Sequence, residues 1–212
     1  MSLLHVEHRD ARSFGIWHIT ESESELETLS GCTAPSKLTN PSRKLEYLAV
    51  RSLAVTMGLD PAQIDYHPSG KPYLKDSTLA ISLSHTKHYA AIVVSNHPLI
   101  GIDIEQRTER VERVRHKFMH PQEEAALEAS GIDTLTGLLM HWCTKEAVFK
   151  AVPEVDIDFA KEIRVTHLPD KQTTGEATFI RTQTTFQLEV RSTPDFVMVI
   201  CHAGVIDLSA SK

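Results

Sequence analysis

Two carboxylates stand two residues apart in the apolar segment 101–105, GIDIE. Side chains alternate between the two faces of a strand, so a strand here would place Asp103 and Glu105 together on one face and the isoleucines in the core. Neighbouring carboxylates repel each other unless a cation lies between them. The spacing therefore indicates either a cation site or a strand end with two solvated acids.

A third carboxylate occurs in the segment 142–150, WCTKEAVFK, where Glu146 precedes Lys150 by one helical turn. On a helix this is the geometry of a surface ion pair, which stabilises by about 0.2–0.5 kcal/mol. The other interpretation groups Glu146 with Asp103 and Glu105 as metal ligands. Three acids without a histidine or cysteine ligand suit a hard cation such as Mg²⁺, which completes its coordination with water and phosphate oxygens. The spacing alone leaves both interpretations open.

Candidate phosphate-binding groups precede all three acids in the chain. They are Lys44 and Arg51 on a predicted helix, Lys71 in a GKP turn, and Ser84 and His85 at the end of a predicted strand. Lysine acts on phosphate as a point charge and arginine as a bidentate fork. Each of these residues alone could also be a solvated side chain or, for His85, a structural histidine. The sequence contains neither a P-loop nor a Rossmann glycine motif, so such a turn would not hold the phosphates.

The elements that must position these groups are both helices and strands. Asn40 and Pro41 mark the start of a helix that ends near Gly58. Residues 79–84 alternate between apolar and smaller side chains, which predicts a strand, and an apolar run after a short turn predicts its hairpin partner. A second helix is predicted from about residue 134 to residue 152, with Phe149 among its inward residues. Strands are also predicted over 13–20, over the GIDIE segment and repeatedly after residue 160.

A weak internal repeat bears on the domain organisation. Residues 81–95 and 188–202 share the pattern of an alternating strand, a short polar turn and an apolar strand, and each follows a helix. The pattern predicts an α+β fold of two similar halves, residues 1–105 and 106–212, which meet near residue 105.

Composition excludes several classes of protein. The 212 residues carry 22 basic and 28 acidic side chains, and this net charge of −6 argues against a general nucleic-acid-binding surface. Three cysteines without CxxC spacing form neither a disulfide framework nor a zinc site, which favours a reducing compartment. The N-terminus has acids and histidines where a signal peptide is apolar, and the longest apolar run, 89–94, is far too short to span a membrane. We therefore predict a soluble, cytoplasmic protein without nucleic-acid or membrane partners.

The order of four motifs resembles one enzyme family. GKPYL, SLSHT, GIDIE and WCTKEAVFK follow one another over roughly residues 40 to 151 as they do in the 4′-phosphopantetheinyl transferases. The last two match the family's signatures, G-[IV]-D-x-E and W-[SC]-x-K-E-[AS]-x-x-K. The chain is most similar to the long, single-chain surfactin-synthetase-activator (Sfp) type. After residue 151 the similarity is limited to strand-rich character.

The resemblance implies a fold and a reaction. The fold would have two pseudo-repeated α+β halves in a monomer with internal pseudo-twofold symmetry, and the active site would lie in the cleft between them. As a holo-[acyl-carrier-protein] synthase, the enzyme would transfer the 4′-phosphopantetheine arm of coenzyme A to a serine of an apo acyl or peptidyl carrier protein. The reaction would need Mg²⁺ and release 3′,5′-ADP.

The resemblance also implies residue roles. Asp103, Glu105 and Glu146 would hold Mg²⁺, and Lys150 would neutralise charge on the pyrophosphate. Glu146 would also be the base that takes the serine proton, directly or through a bound water. The expected coenzyme A contacts are Arg51, Lys71, Ser84, His85, Lys44 and Lys145. The loop before the first long helix departs from the family in its few bases: Lys37, then Arg43 and Lys44. A charged segment after the GIDIE strand could offer a docking edge to an acidic carrier through Arg107, Arg110, Arg113 and Arg115, or could be a solvated surface.

Two alternative functions stay open from the sequence. One is a Mg²⁺-dependent hydrolase of a nucleotide pyrophosphate, which would consume coenzyme A without a carrier protein. The other is a non-catalytic carrier-protein binder, against which the intact set of acids and Lys150 argues.

Overall fold

The computed structural model describes residues 3–9, 11–168 and 174–203. Its architecture is α+β, as predicted, with two antiparallel sheets that each pack against one long helix. The strands that the sequence pattern predicted all form, and so do the two long helices.

The first half builds a four-stranded sheet in the order β1-β2-β6-β5 and a small β3-β4 ribbon. Its elements are β1 (Leu3–Arg9), β2 (Arg12–His18), α1 (Glu23–Ser30), α2 (Pro41–Thr56), β3 (Ile64–Tyr66), β4 (Pro72–Leu74), β5 (Ala80–His85) and β6 (Tyr89–Ser95). The sequence analysis did not predict β1, β3 or β4. The ribbon strands are three residues long and lie beside turns, so no periodicity could reveal them.

The second half builds a five-stranded sheet in the order β7-β11-β10-β9-β8. Its elements are β7 (Ile100–Gln106), α3 (Arg110–Val114), α4 (Pro121–Ser130), α5 (Thr134–Ala151), α6 (Phe159–Glu162), β8 (Ile163–His167), β9 (Thr174–Phe179), β10 (Thr184–Ser192) and β11 (Phe196–Ala203). The predicted division into residues 1–105 and 106–212 stays a prediction. Because β7 pairs with β11, the division between the sheets falls between Ser95 and Ile100.

Local sequence explains the two long helices. Asn40 caps α2 by accepting a hydrogen bond from the backbone N–H of Arg43, and Pro41 occupies the first helical position. Asp133 caps α5 in the same way, and Pro153 follows its end. These caps fix where each helix starts and therefore which residues face the sheets.

Three apolar clusters hold the molecule together. One lies between α2 and the first sheet, and one lies between α5 and the second sheet. The third is formed by the opposite faces of both sheets, with Phe14, Tyr89, Ile102 and Met198 among its members. The order of layers is therefore helix, sheet, sheet, helix, and the two halves share a buried interface.

The edges of β5 and β7 meet through serine side chains. Ser82 Oγ accepts a hydrogen bond from Ile102 N at 3.2 Å, and Ser84 Oγ accepts one from Ile104 N at 3.3 Å. The alternating pattern of β5 predicted one apolar face, but both serines are also buried because β7 lies against them. This seam sets β5 beside the carboxylates of β7.

Both sheets share an order of strands. In the first sheet β6 lies between β2 and β5, and in the second β11 lies between β7 and β10. In each case the last strand of the half is an internal strand that pairs with its hairpin partner and with an earlier strand, and a long helix precedes the hairpin in the chain. The predicted repeat of two halves stays a prediction, which this common order supports. Within the described residues, no helix combines the length and apolar character needed to cross a membrane.

Candidate active site

A cavity of about 610 Å³ lies where β5, β7, α2 and α5 converge. Asp103 and Glu105 reach it from β7, and Glu146 and Lys150 reach it from α5. The two elements lie very close together, since a Cβ on Gly101 would stand 1.9 Å from the carbonyl oxygen of Ala147. Glycine at this position therefore allows α5 to bring its acid and lysine onto the β7 carboxylates.

Lys150 is the centre of a polar network in this cavity. Its Nζ donates to Asp103 Oδ1 at 2.7 Å, to Ser84 Oγ at 3.1 Å and to the Ile102 carbonyl at 3.2 Å. Burial opposes its charge, but the Asp103 carboxylate, together with the charge of Glu146, raises the pKa of Lys150. The ion pair of Lys150 is with Asp103, and none within the described residues joins it to Glu146. The surface-pair interpretation of Glu146 and Lys150 is therefore wrong.

The other two carboxylates have perturbed acidities. Burial and the nearby Asp103 carboxylate raise the pKa of Glu146 to about 7. The same two causes raise the pKa of Glu105, although Trp142 Nε1 donates a hydrogen bond to its Oε1 at 3.2 Å. Buried acids whose pKa values are raised by burial and by a neighbouring carboxylate indicate a site that a cation would complete.

The acids can be tested as metal ligands by their donor chemistry and by their geometry. Asp103 Oδ2 is buried and has no hydrogen-bond partner in the described part of the chain, so one lone-pair donor is available in the cavity wall. Oxygen donors of this kind suit Mg²⁺. However, the described residues contain no group of three acids, histidines or cysteines already close enough to hold a metal. The donor chemistry fits, while the geometry leaves coordination sites to be filled by a ligand's own oxygens.

Basic and aromatic side chains form the opposite wall of the cavity. Arg51 is buried, lies 3.9 Å over the ring of Tyr47 and donates to the Tyr66 hydroxyl at 3.3 Å. Lys71 Nζ donates to the carbonyl of Ala151, the last residue of α5, and to that of Val152, which caps the helix, each at 3.2 Å. Burial lowers the pKa of Lys71, and the Glu154 carboxylate opposes this only in part. The cavity therefore pairs an acidic floor with a cationic wall.

The structure brings most, but not all, of the predicted site residues together. Arg51, Lys71, Ser84 and His85 line the cavity together with the three acids and Lys150. Lys44 does not line it, and its Nζ lies 2.9 Å from Glu23 Oε1.

Lys145 is also outside this cavity. Its Nζ lies 2.6 Å from both Glu123 Oε2 and the Phe118 carbonyl, and the side chain is fully buried. The prediction that Lys145 contacts a coenzyme is therefore corrected: its charge is satisfied inside the protein. The Trp-x-x-Lys-Glu motif combines an internal structural lysine with a cavity-facing glutamate.

Two cavity residues were not identified as site residues from the sequence, and the sequence left a third undecided. Tyr66 lines the cavity, and so does Phe149, which is 37% exposed although its spacing predicted an inward position; Arg43, one of the few bases near the first long helix, also lines it. Arg43 lies three residues after the predicted helix cap, which was the one available signal. Tyr66 and Phe149 carried no such signal because only the fold brings β3 and the end of α5 together.

A second cavity of about 940 Å³ lies on the other side of the acids. Glu105 and Glu146 line both cavities, so these two side chains form the partition between them. Trp142 and Phe159 contribute to its wall, and their ring centroids are 6.0 Å apart. A group that enters from this side would meet Glu146 opposite any ligand in the first cavity.

Comparison with known proteins agrees with the motifs. Residues 99–201 match the model of the 4′-phosphopantetheinyl transferase superfamily. A protein of Haemophilus influenzae, whose name proposes that it is a 4′-phosphopantetheinyl transferase, is 28% identical over 137 residues. The alignment covers 61% of this chain and 57% of that protein, so the chain spans little more than half the length of this relative. The resemblance to the superfamily is confirmed.

Proposed function

We propose, from the match to the 4′-phosphopantetheinyl transferase superfamily, that this chain transfers 4′-phosphopantetheine from coenzyme A to a serine of an apo acyl or peptidyl carrier protein. The carrying observation is the partition formed by Glu105 and Glu146, with a cationic cavity on one side and a second cavity on the other. The phosphate-rich donor and the carrier protein must reach Glu146 from different sides, and the two cavities provide one side for each.

The donor side fits a ligand with several phosphates. Arg51 and Lys71 supply positive charge, and Tyr47 supplies an aromatic surface beside Arg51. A planar guanidinium held over a ring is a rigid phosphate fork, whereas Lys71 acts as a point charge. We assign the 3′-phosphate region of coenzyme A to Arg51 and Lys71, and the other phosphates to Ser84 and His85.

Mg²⁺ would be held by Asp103, Glu105 and Glu146. When bound, it would neutralise charge on the pyrophosphate and favour departure of the leaving phosphate. Lys150, which already lies against Asp103, would share that neutralisation. Asp103 Oδ2 is the donor in this set whose hydrogen-bonding capacity is unused among the described residues.

Glu146 is the base of the proposed reaction. A carboxyl group with a pKa of about 7 accepts a proton effectively near neutral pH. It would take the proton of the carrier serine while the serine oxygen forms a bond to the phosphorus that bears pantetheine. The bond between that phosphorus and the bridging oxygen breaks, and 3′,5′-ADP leaves with the bond's electron pair.

The acceptor would approach through the second cavity. Its apolar wall, with Trp142 and Phe159, is flanked by the bases Arg110 and Lys117. Carrier proteins are typically acidic, so this rim is complementary in charge. Of the docking residues expected from the sequence, Arg107 is instead held by Thr193, Thr136 and Ser192, and Arg115 by Glu124. Arg110 and the exposed Arg113 remain candidates for carrier contact.

The broader properties are proposed on the same basis. The protein would act in the cytoplasm as a monomer of two repeated halves, as in the long, single-chain type of the family. The shared strand order of the two sheets supports the repeat. The buried cluster between the sheets supports the cleft as a fixed site within one chain.

Mass measurement tests the proposal. We expect that incubation with coenzyme A, Mg²⁺ and a panel of apo carriers adds one phosphopantetheine to at least one carrier. Loss of coenzyme A without any gain of carrier mass would favour the hydrolase. Capture of carriers with coenzyme A left intact would favour the non-catalytic binder.

A further inference from the structure

A buried glutamate behind the cationic wall has no place in the function described so far. Glu46 on α2 is 5% exposed and does not line the cavity. Its Oε2 nevertheless lies 2.9 Å from Arg43 Nη1 and 3.0 Å from His85 Nδ1, and both of these partners line the cavity. One carboxylate oxygen therefore joins a base on α2 to a histidine at the end of β5.

We propose that Glu46 is a positioning residue that holds Arg43 and His85 together as a preformed phosphate-binding pair. The inference rests on the proposed function for the identity of the ligand, coenzyme A. Ser42 Oγ donates to Glu46 Oε1 at 3.1 Å, so the carboxylate is itself fixed on the helix. A fixed carboxylate orients two partners at once.

Each partner needs such support. The Arg43 side chain is 61% exposed, so without an acceptor it would sample many rotamers, and binding would have to order it. With Nδ1 directed to Glu46, the imidazole presents its Nε2 edge, for which the described part of the chain holds no hydrogen-bond partner. Burial lowers the pKa of His85, and the Glu46 carboxylate opposes this by favouring the charged form. Arg43 and Lys150 also face the imidazole, and their positive charges lower the pKa of His85.

The direction in which Glu46→Gln changes Kd for coenzyme A distinguishes positioning from simple electrostatics. Glu46→Gln removes a negative charge beside a site for an anion, so Coulomb attraction alone predicts tighter binding of coenzyme A. Positioning predicts weaker binding, because the amide offers one acceptor oxygen and no charge to hold both the Arg43 guanidinium and the His85 Nδ1–H. We expect Kd for coenzyme A to rise about tenfold, measured by calorimetry without a carrier.

Glu154→Gln is the matched control. Glu154 also lines the cavity and acts on Lys71 through its charge. Losing this charge should leave Kd for coenzyme A unchanged or lower it. A Glu46→Gln variant that binds coenzyme A as tightly as wild type, or more tightly, would overturn the proposal.

Two further measurements exclude a merely stabilising role. In an Arg43→Gln, His85→Gln background, Glu46→Gln should change Kd little, because its partners are gone. In wild type, nitrogen NMR should find His85 with its proton on Nδ1, assigned by difference from His85→Gln, and this preference should be lost in Glu46→Gln. An undiminished effect in the double-variant background would contradict positioning. Because binding is measured without a carrier, failure of the transfer reaction would leave this test intact.

Discussion

At the scale of single residues, the carboxylate of Glu146 is proposed both to accept a proton and to bind Mg²⁺, and these two roles compete. Burial and Asp103 keep its pKa at about 7 in the metal-free protein, whereas a metal ligand must be ionised. Mg²⁺ would favour the ionised form, so metal binding and readiness to accept a proton are coupled through this side chain. Glu146 also separates the two cavities, so its substitution should affect the reaction more than the fold.

We expect Glu146→Gln to lower kcat by about 10²–10⁴-fold, the range for loss of a general base. Weakened metal binding would add to that loss. The measurement is kcat at several Mg²⁺ concentrations, and the control is Glu128→Gln, an exposed surface change. Near-normal turnover by Glu146→Gln would remove it from the site. Asp103→Asn should instead be partly rescued by raised Mg²⁺.

The raised pKa of Glu146 also predicts how stability depends on pH. Between the unfolded value of 4.5 and about 7, the folded protein binds a proton at Glu146 that the unfolded chain has lost. The contribution of Glu146 is therefore full below the unfolded value and is lost as pH rises through about 7. We expect the metal-free Tm of wild type to fall more steeply over this window than that of Glu146→Gln. Parallel curves would contradict the perturbed acidity.

At the scale of elements, the site depends on how closely α5 can approach β7. Gly101 and Ala147 are in contact there. Glu146 lies one residue before Ala147 and Lys150 three residues after it, so this contact places both side chains of α5 in the cavity. A buried ion pair then ties α5 to α4 through Lys145 and Glu123. Glu123 Oε1 also accepts the backbone N–H of Val165, which joins β8 to the same point.

Gly101→Ala should destabilise the fold by about 1–3 kcal/mol or more, because the new methyl group would overlap backbone that cannot move independently. It should also lower kcat, since α5 would shift relative to the β7 acids. Gly137→Ala is the matched control, as its methyl group would meet the side chain of Leu127 rather than backbone. Denaturant unfolding and turnover should both separate the two variants, and equal effects would argue against the close approach.

Lys145→Met should cost about 3–5 kcal/mol of stability, because it removes the cation 2.6 Å from the buried Glu123 and leaves only Arg164, at 3.9 Å, to balance that charge. Adding Glu123→Gln should recover part of that loss, and Lys161→Met, at an 80% exposed side chain, serves as the control. Chemical denaturation measures all of these. A Lys145→Met protein of normal stability that binds coenzyme A weakly would restore Lys145 to the coenzyme site.

At the scale of the whole molecule, the cavity draws its walls from both halves. Lys71 belongs to the first half, yet it contacts carbonyls at the end of α5. On the far side, ion pairs join the sheets from Arg12 to Glu189 and from Arg191 to Glu7. A ligand in the cavity would bridge the halves and stabilise their joint fold.

Coenzyme A and Mg²⁺ together, at about one hundred times Kd, should stabilise the protein by about 2.7 kcal/mol, or about 5–10 °C in Tm. Lys71→Ala should reduce the shift with coenzyme A but change little with dephospho-coenzyme A, which lacks the 3′-phosphate. Lys75→Ala, whose lysine pairs with Asp65 outside the cavity, is the control. Equal discrimination between the two ligands by wild type and Lys71→Ala would remove Lys71 from that subsite.

The sequence by itself determined the features that depend on short-range patterns. The cap at Asn40, the helix pattern that starts near residue 134, the alternation around Asp103 and the hairpin turns depend on a few neighbouring residues, so they can be predicted without the fold. The motifs also identified the acids and Lys150, because their spacing within one strand and one helix is local.

Only the tertiary structure decided which of these groups meet. Lys145 and Glu146 are adjacent in sequence but lie on different faces of α5. Lys145 forms a buried ion pair with Glu123, whereas Glu146 lines the cavity. Glu46 could not be found as a partner of His85, because α2 and β5 approach each other only after the sheet has formed. The same holds for Lys150. Its spacing suggested a pair with Glu146 on the same helix, but in the structure it pairs with Asp103 on β7. Electrostatic partners are chosen by distance through space, and that distance is set by packing between elements that are far apart in the chain.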